Sequence, residues 1–480
     1  MGLGLAARPL STAFNRSGNS LNMIRLLLAA TVVISHSRTI AGHGDGISIG
    51  HGEIAKFAVD AFFVISGFLI TGSRLGLPTG RYLWNRILRI FPAFWAALLG
   101  TAFLAAPIAW YHDHNSLGGL FTDAHGPVQY VLRNCLLDIG FWDVAGTPAH
   151  VPFPAVWDGS IWTLRWEVAC YLGIAALGAV GLLARRGVVL GIFGVMWAAY
   201  AFHDVAPSVA GGAFAHQQTV TRFALLFLSG TLMCLFQDKI PFSDALGALA
   251  LVEVAVAYVA LDHAYIWAGP PLAYACLWVA TRVPMPKLLR NDFSYGLYIF
   301  TMPVQQLLAV FGLAKGSLTV YTVLSLSGGL ALAALSWFGL EKRVLKLKNF
   351  TPGFLKDKGA AAGAHRRLRR PPGMRASTMV IPMPEEIRSA MTGSGRAEPS
   401  RRGASRPAQA PAPAQAESGR SRSRRRSGSD RPVPPAPPPP PGRVDETMLL
   451  LPASGVEETM RLPPQPSVDD TVRLRRGRQR

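Results

Sequence analysis

Arg25 and His36 stand eleven residues apart in the apolar stretch 21–41. At about 100° and 1.5 Å per residue they share one helix face, about 16 Å apart along the axis. An ionisable residue inside such a stretch costs about 2.5 to 3.5 kcal/mol on insertion scales, so a sequence that keeps one has a use for it. Asp60 opens the run Val59-Asp-Ala-Phe-Phe-Val-Ile-Ser-Gly-Phe-Leu-Ile-Thr71, where Ser66 and Gly67 permit close helix approach. Asn85-Arg86-Ile-Leu-Arg89-Ile-Phe-Pro92 carries two arginines at i and i+3, and guanidinium forks suit phosphate recognition. Trp157-Asp-Gly-Ser-Ile-Trp-Thr-Leu-Arg-Trp-Glu167 follows a long polar loop. In it Ser160, Thr163 and Glu167 form a polar stripe at helical spacing, and a carboxylate there invites pairing with a protonated histidine. Structural roles stay open for each residue. Arg25 can extend its head to an interface, His36 can be packed and hydrogen-bonded, and Asp60 can cap a helix. Arg86 and Arg89 can anchor a loop, and Trp162 and Trp166 suit an aromatic belt.

The elements that must position these residues follow from composition. The 480 residues are 50% apolar and 16% charged, a balance that points to a membrane core. A bilayer needs about 20 apolar residues per helix. Windows of that size fall at 21–41, 54–74, 90–110, 161–183, 187–203, 219–236, 243–261, 264–281, 293–314 and 317–340. The expected fold is an all-α, polytopic membrane helix bundle of about ten transmembrane helices with a disordered basic C-terminal tail. The fifth window is short, and the pair around Leu261 is joined so tightly that the two must form a hairpin or be miscounted. The stretch beginning near Leu21 is too long for a signal-peptide core and reads as a retained first span.

Positive charge accumulates in cytoplasmic loops. Arg8 and Arg16, then Arg74, Arg81, Arg86 and Arg89, then Arg185 and Arg186, Lys239, Arg282 with Lys287 and Arg290, and Lys342, Arg343 and Lys346 all fall on one side of this arrangement. Both termini are therefore expected in the cytoplasm of a bacterial inner membrane. The loop from Tyr111 to Ser160, with only Arg133, faces outward. Cys135, Cys170, Cys234 and Cys276 are isolated in or beside apolar stretches and read as small apolar fillers rather than disulfide or metal ligands.

Three segments result: a cytoplasmic N-terminal segment 1–18, a membrane domain 19–348 and a Pro/Arg-rich cytoplasmic tail 349–480. The tail holds 21 of the 36 prolines, no aromatic residue beyond Phe354, and 25 Lys/Arg against 12 Asp/Glu, so it cannot bury a core. Nucleic acid is not expected as a partner, since no aromatic platforms accompany the charge. Within the tail Val444-Asp-Glu-Thr-Met-Leu-Leu450, Val456-Glu-Glu-Thr-Met-Arg-Leu462 and Val468-Asp-Asp-Thr-Val-Arg-Leu474 recur at a period of twelve. Thr447, Thr459 and Thr471 resemble substrates of bacterial Ser/Thr kinases and ligands of forkhead-associated domains. Each modification would add about −1.5 to −2 charge. This expectation fails if no kinase from the same source modifies the tail.

Together these residues resemble the acyltransferase 3 family over about residues 19–348. The resemblance rests on the Arg25 to His36 spacing, the run ending at Thr71, Arg86 and Arg89 before Pro92, and Gly-Ser-Ile-Trp-Thr-Leu-x-x-Glu ending at Glu167. Phe293-Ser-Tyr-Gly-Leu-Tyr-Ile-Phe300 and Ser336-Trp-Phe-Gly-Leu-Glu-Lys342 complete it. Asp158 stands where the family usually has Asn, and Thr301 where it often has His.

The resemblance implies an O-acyltransferase that takes an acyl group, expected to be acetyl, from cytoplasmic acyl-CoA to a hydroxyl of an envelope glycan or glycolipid. It implies donor phosphates held by Arg86 and Arg89, with Arg25 extending the basic path. His36, with an ordinary pKa of about 6.5, would be general base or acyl-carrying nucleophile. Glu167 or Asp60 would orient it, and Ser160, Trp162 and Thr163 would line the acceptor side. No metal and no permanently bound cofactor are expected. Two other classes stay open: a transporter of an acylated sugar or lipid, which should show internal repeats, and an inactive sensor acting through its tail.

Overall fold

The computed structural model describes residues 8–15, 18–205, 215–261, 264–284, 286, 291–350 and 352. Thr447, Thr459, Thr471 and the remainder of the tail, like Arg16, Lys287 and Arg290, lie outside the described residues.

The described chain is helical. After a short turn α1 (Leu10–Ala13) come α2 (Leu21–Ile40), α3 (Ile54–Gly76) and α4 (Thr79–Gly100). The last runs through a π-helical turn, Thr101–Ala105, into α5 (Ala106–His114). A long polar connection carries α6 (Pro127–Asn134). It leads to α7 (Thr163–Ala179), α8 (Arg186–Val205) and α9 (Ala215–Leu235). Then follow α10 (Asp244–Ala260), α11 (Ala264–Arg282), α12 (Ser294–Val310) and α13 (Leu318–Ser336). A second π-helical turn, Trp337–Glu341, follows α13. Two antiparallel pairs of two-residue strands depart from the all-α expectation: β1 (Arg8–Pro9) with β4 (Pro241–Phe242), and β2 (Ser48–Ile49) with β3 (Gly52–Glu53).

Four helices among the described residues are long and apolar enough to cross a membrane: Leu21–Ile40, Ile54–Gly76, Thr79–His114 and Leu318–Asn349. The outward faces of the helices leave large apolar side chains uncovered, among them Leu27 of α2, Leu172 of α7, Leu249 of α10 and Leu335 of α13. Buried polar residues such as Asp60, Thr71, Gln305 and Glu341 point inward. Apolar residues outside and polar residues inside suit a lipid solvent.

Helix contacts are set by small residues, as the sequence around Gly67 anticipates. Gly67 of α3 and Gly230 of α9 face each other: a Cβ on the first would run into the Phe227 carbonyl, and one on the second into that of Val64. Thr71 Oγ1 donates to Thr231 Oγ1 at 3.0 Å, and Phe63 stacks on Phe223 with centroids 4.1 Å apart. Close backbone approach of this kind substitutes in lipid for the hydrophobic drive available in water.

Several boundaries differ from the apolar windows. Arg86 and Arg89 lie within α4, not in a loop before it, because the helix starts at Thr79 on an amphipathic turn that a hydropathy window passes over. Asp60 is not a cap: α3 begins at Ile54 with Glu53 at its cap position, so Asp60 sits almost two turns inside. The fifth window is extended to the twenty residues of α8. Ser160 precedes α7 in a turn rather than in the helix.

Candidate active site

The bundle separates two polar regions, one at its arginine-rich end and one in the opposite half. At the arginine-rich end Arg25 Nη1 and Arg89 Nη2 donate to the same oxygen, Asp292 Oδ2, at 2.7 and 2.6 Å. Arg89 Nη1 also donates to Glu341 Oε2 at 2.6 Å, and Ser336 Oγ donates to Glu341 Oε1. Arg89 lies over the rings of Tyr295 and Trp337. Burial alone would push the Asp292 carboxyl up, but Arg25 and Arg89 outweigh it and hold that carboxyl well below the usual range. Two of the three arginines singled out by the sequence are thus bound to carboxylates from late in the chain.

Arg86 is different. Its guanidinium is largely enclosed, lies 6.0 Å from the Tyr171 ring centre, and makes no hydrogen bond or ion pair with any described residue. The nearest acid acting on it is Glu167, which accepts from Ser66 Oγ at 2.9 Å and Tyr171 Oη at 2.5 Å. A buried donor set without an acceptor is costly unless something supplies one.

The polar stripe is held against α12. Ser160 Oγ donates to the Tyr298 carbonyl at 3.1 Å, and Thr163 Oγ1 lies 2.8 Å from Tyr298 Oη. Trp162, half-buried, packs on Phe223. Asp60, fully buried, accepts from Arg222 Nε and Nη2 through Oδ1 and from Tyr258 Oη through Oδ2, so both carboxylate oxygens are occupied.

In the opposite half, His36 is half-buried on the inward face of α2 and makes no hydrogen bond with a described residue. Ser37 beside it accepts from Gln305 Nε2 at 2.9 Å, which fixes α2 on α12. Neither Asp60 nor Glu167 hydrogen-bonds to His36. The geometry therefore joins Arg25 to Arg89, and Ser66 to Glu167, and leaves Asp60 in a separate cluster with Arg222.

The comparisons with known proteins decide the family. Residues 19–338 match the acyltransferase domain known as acyltransferase 3. The chain belongs to that family. An "O-acetyl transferase" of Shigella phage Sf6 is 25% identical over 349 residues, 68% of this chain and 96% of the relative. "Nodulation protein 10" of Rhizobium leguminosarum bv. viciae is 26% identical over 369 residues, covering 69% and 94%. "Exopolysaccharide production protein ExoZ" of Rhizobium meliloti (strain 1021) is 26% identical over 310 residues, covering 59% and 85%. No solved structure matches. As an acyltransferase 3 protein the chain is an O-acyltransferase of the membrane.

Within this acyltransferase the departure at Asp158 has a local consequence. Asp158 is buried in the connection before α7 and accepts from Tyr130 Oη at 2.5 Å. Burial pushes its carboxyl up to about 7, with the hydroxyls of Tyr130 and Thr101 opposing. An unfolded Asp loses its proton near 3.8, whereas the folded one keeps it to about 7. Stability should therefore fall as pH rises from 3.8 to about 7 and be level above. The thermal midpoint of the solubilised protein, followed against pH, checks this: Asp158→Asn should remove that slope. A slope unchanged in Asp158→Asn assigns it to other groups.

Proposed function

We propose that this acyltransferase is a ten-span protein of the bacterial inner membrane with both termini cytoplasmic. On this reading it moves an acyl group, acetyl in the first instance, from cytoplasmic acyl-CoA to a hydroxyl of an envelope glycan or glycolipid. The gathering of Arg74, Arg81, Arg185, Arg186, Arg282, Lys342 and Arg343 at one end supports the orientation. The names of the phage and ExoZ relatives, acetyl transfer in one and exopolysaccharide production in the other, support the acyl group and the acceptor class.

The observation that carries the donor assignment is Arg86, a cation set into the arginine-rich end with no anion to hold among the described residues. A phosphate of acyl-CoA supplies that anion. Arg25 and Arg89 would then shape the entrance through Asp292 and Glu341 rather than grip the donor directly.

His36 is the group suited to the chemistry. As general base its imidazole nitrogen takes the proton of the acceptor hydroxyl while that oxygen bonds to the thioester carbonyl carbon. The tetrahedral intermediate collapses, the C–S bond breaks, and the departing CoA thiolate takes the proton from the imidazolium. Free CoA and an O-acyl ester result, and His36 returns neutral. Ser160, Trp162 and Thr163, close to Tyr298, would line the path towards the acceptor.

Acyl-CoA entry is tested with radiolabelled acetyl-CoA supplied to envelope preparations of cells that carry or lack the protein. Label should enter a glycan or glycolipid fraction only where the protein is present. Equal labelling with and without it would remove acetyl-CoA as the donor.

A further inference from the structure

Between the turn that joins α3 to α4 and the turn that joins α7 to α8 lies a cavity of about 330 Å³, at the lower end of the range for small-ligand sites. Its walls include Arg74, Leu75, Pro78, Gly178, Gly181 and Leu183, and no described acidic residue lines it. Two bonds fix the Arg74 fork there: Nη1 donates to the Leu77 carbonyl at 2.9 Å and Nη2 to Thr79 Oγ1 at 2.7 Å. The guanidinium crosses α7 at Gly178, where a Cβ would stand 2.5 Å from Arg74 Nε, so the crossing needs a residue without a side chain. Arg185, next after the lining residue Ala184, is exposed and makes no ion pair or side-chain hydrogen bond with a described residue.

Helix α7 relates this cavity to Arg86. The Arg86 guanidinium lies over Tyr171, seven residues before Gly178. At about 100° and 1.5 Å per residue these two positions share a helix face, about 10 Å apart along the axis. Tyr82 Oη donates to the Tyr171 carbonyl at 3.0 Å and ties α4 to α7. Glu167 and Thr163 continue the same side of α7 at helical spacing. The order along the helix is therefore cavity with Arg74, then Arg86, then the polar stripe. Acyl-CoA read from its nucleotide end has the matching order: 3′-phosphoadenosine, 5′-diphosphate, then an extended arm that ends in the thioester.

We propose that this cavity is the nucleotide subsite of the donor. Its leucine and proline walls take the adenine, Arg74 with Arg185 at the rim takes the ribose 3′-phosphate, and Arg86 takes the 5′-diphosphate. The inference rests on the reading of acyl-CoA as the donor. Guanidinium forks bind phosphate oxygens in pairs, and with no acid among the lining residues a phosphate meets no competing carboxylate there.

The test measures binding of CoA and of dephospho-CoA, which lacks only the 3′-phosphate, to the full-length protein in phosphatidylcholine nanodiscs without an acceptor. Wild type should bind CoA about 10- to 100-fold more tightly than dephospho-CoA, the range of one charge-assisted contact. Arg74→Gln should bind both as wild type binds dephospho-CoA, whereas Arg86→Ala should weaken both and keep the preference. Because the preference is a ratio of affinities within one preparation, a smaller folded fraction does not alter it. Equal binding of the two by wild type overturns the proposal. So does a preference that survives Arg74→Gln, or one that is lost in Arg86→Ala instead. A lipid headgroup carries the same phosphate, so a preference abolished when phosphatidylglycerol is added to the nanodiscs would give the cavity to lipid. Wild type that binds neither CoA nor dephospho-CoA dismisses the donor reading itself, and the cavity assignment with it; wild type that binds both equally dismisses only the cavity.

Discussion

His36→Ala is expected to lower acyl transfer by at least about 10²-fold, the range in which positioned acid–base groups contribute, while membrane abundance and acyl-CoA binding stay at wild-type levels. The asymmetry follows from the surroundings of the ring. His36 has no hydrogen-bond partner among the described residues and is only half-buried, so its removal leaves no described donor or acceptor stranded and opens no sealed cavity. The donor's phosphates are assigned to the arginine-rich end of the bundle, where Arg25 lies about 16 Å from His36 along α2. Radiolabelled acetyl incorporation at matched abundance, with acetyl-CoA binding measured on the same membranes, reads both quantities. Wild-type labelling by the alanine variant would displace His36 from the chemistry. A loss of binding together with labelling would mean that the substitution disturbs the bundle instead.

How far the sequence could lead is clearest at the charges. The argument from the cost of a buried ion finds Asp60, Glu167, Arg25 and His36 without any structure. Applied with equal strictness it also finds Arg222, the lone cation in the window 219–236, which proves to be the partner of Asp60. The helices were legible because each apolar window is a local property. Their ends were less so: the first turns of α4 are amphipathic, and a criterion built for lipid contact does not register a helix that faces protein. Asp292 and Glu341 lie outside the windows and meet arginines more than 200 residues earlier, a pairing that no local pattern encodes.

The same limitation explains why Arg86 and Arg89 read as equivalent prongs and are not. One helical turn separates them, yet the bundle gives Arg89 two carboxylates and Arg86 none among the described residues. Their alanine variants should therefore fail in different ways. Arg86→Ala should raise the KM for acyl-CoA by about 10- to 100-fold, the equivalent of one charge-assisted contact of about 1.5 to 3 kcal/mol, with kcat little changed, because a phosphate grip acts equally on ground and transition states. Arg89→Ala leaves Glu341 without an ion-pair partner and Asp292 with only one. Breaking a buried pair in this way costs about 3 to 5 kcal/mol, so the expected result is lost folded protein in the membrane. Steady-state kinetics on purified protein, beside thermal midpoints of both variants, distinguish the two. An unchanged KM in Arg86→Ala would sink its role as the donor's anion partner. A fully stable Arg89→Ala with a raised KM would return the clamp to Arg89 and mean that Asp292 and Glu341 release it when the donor arrives.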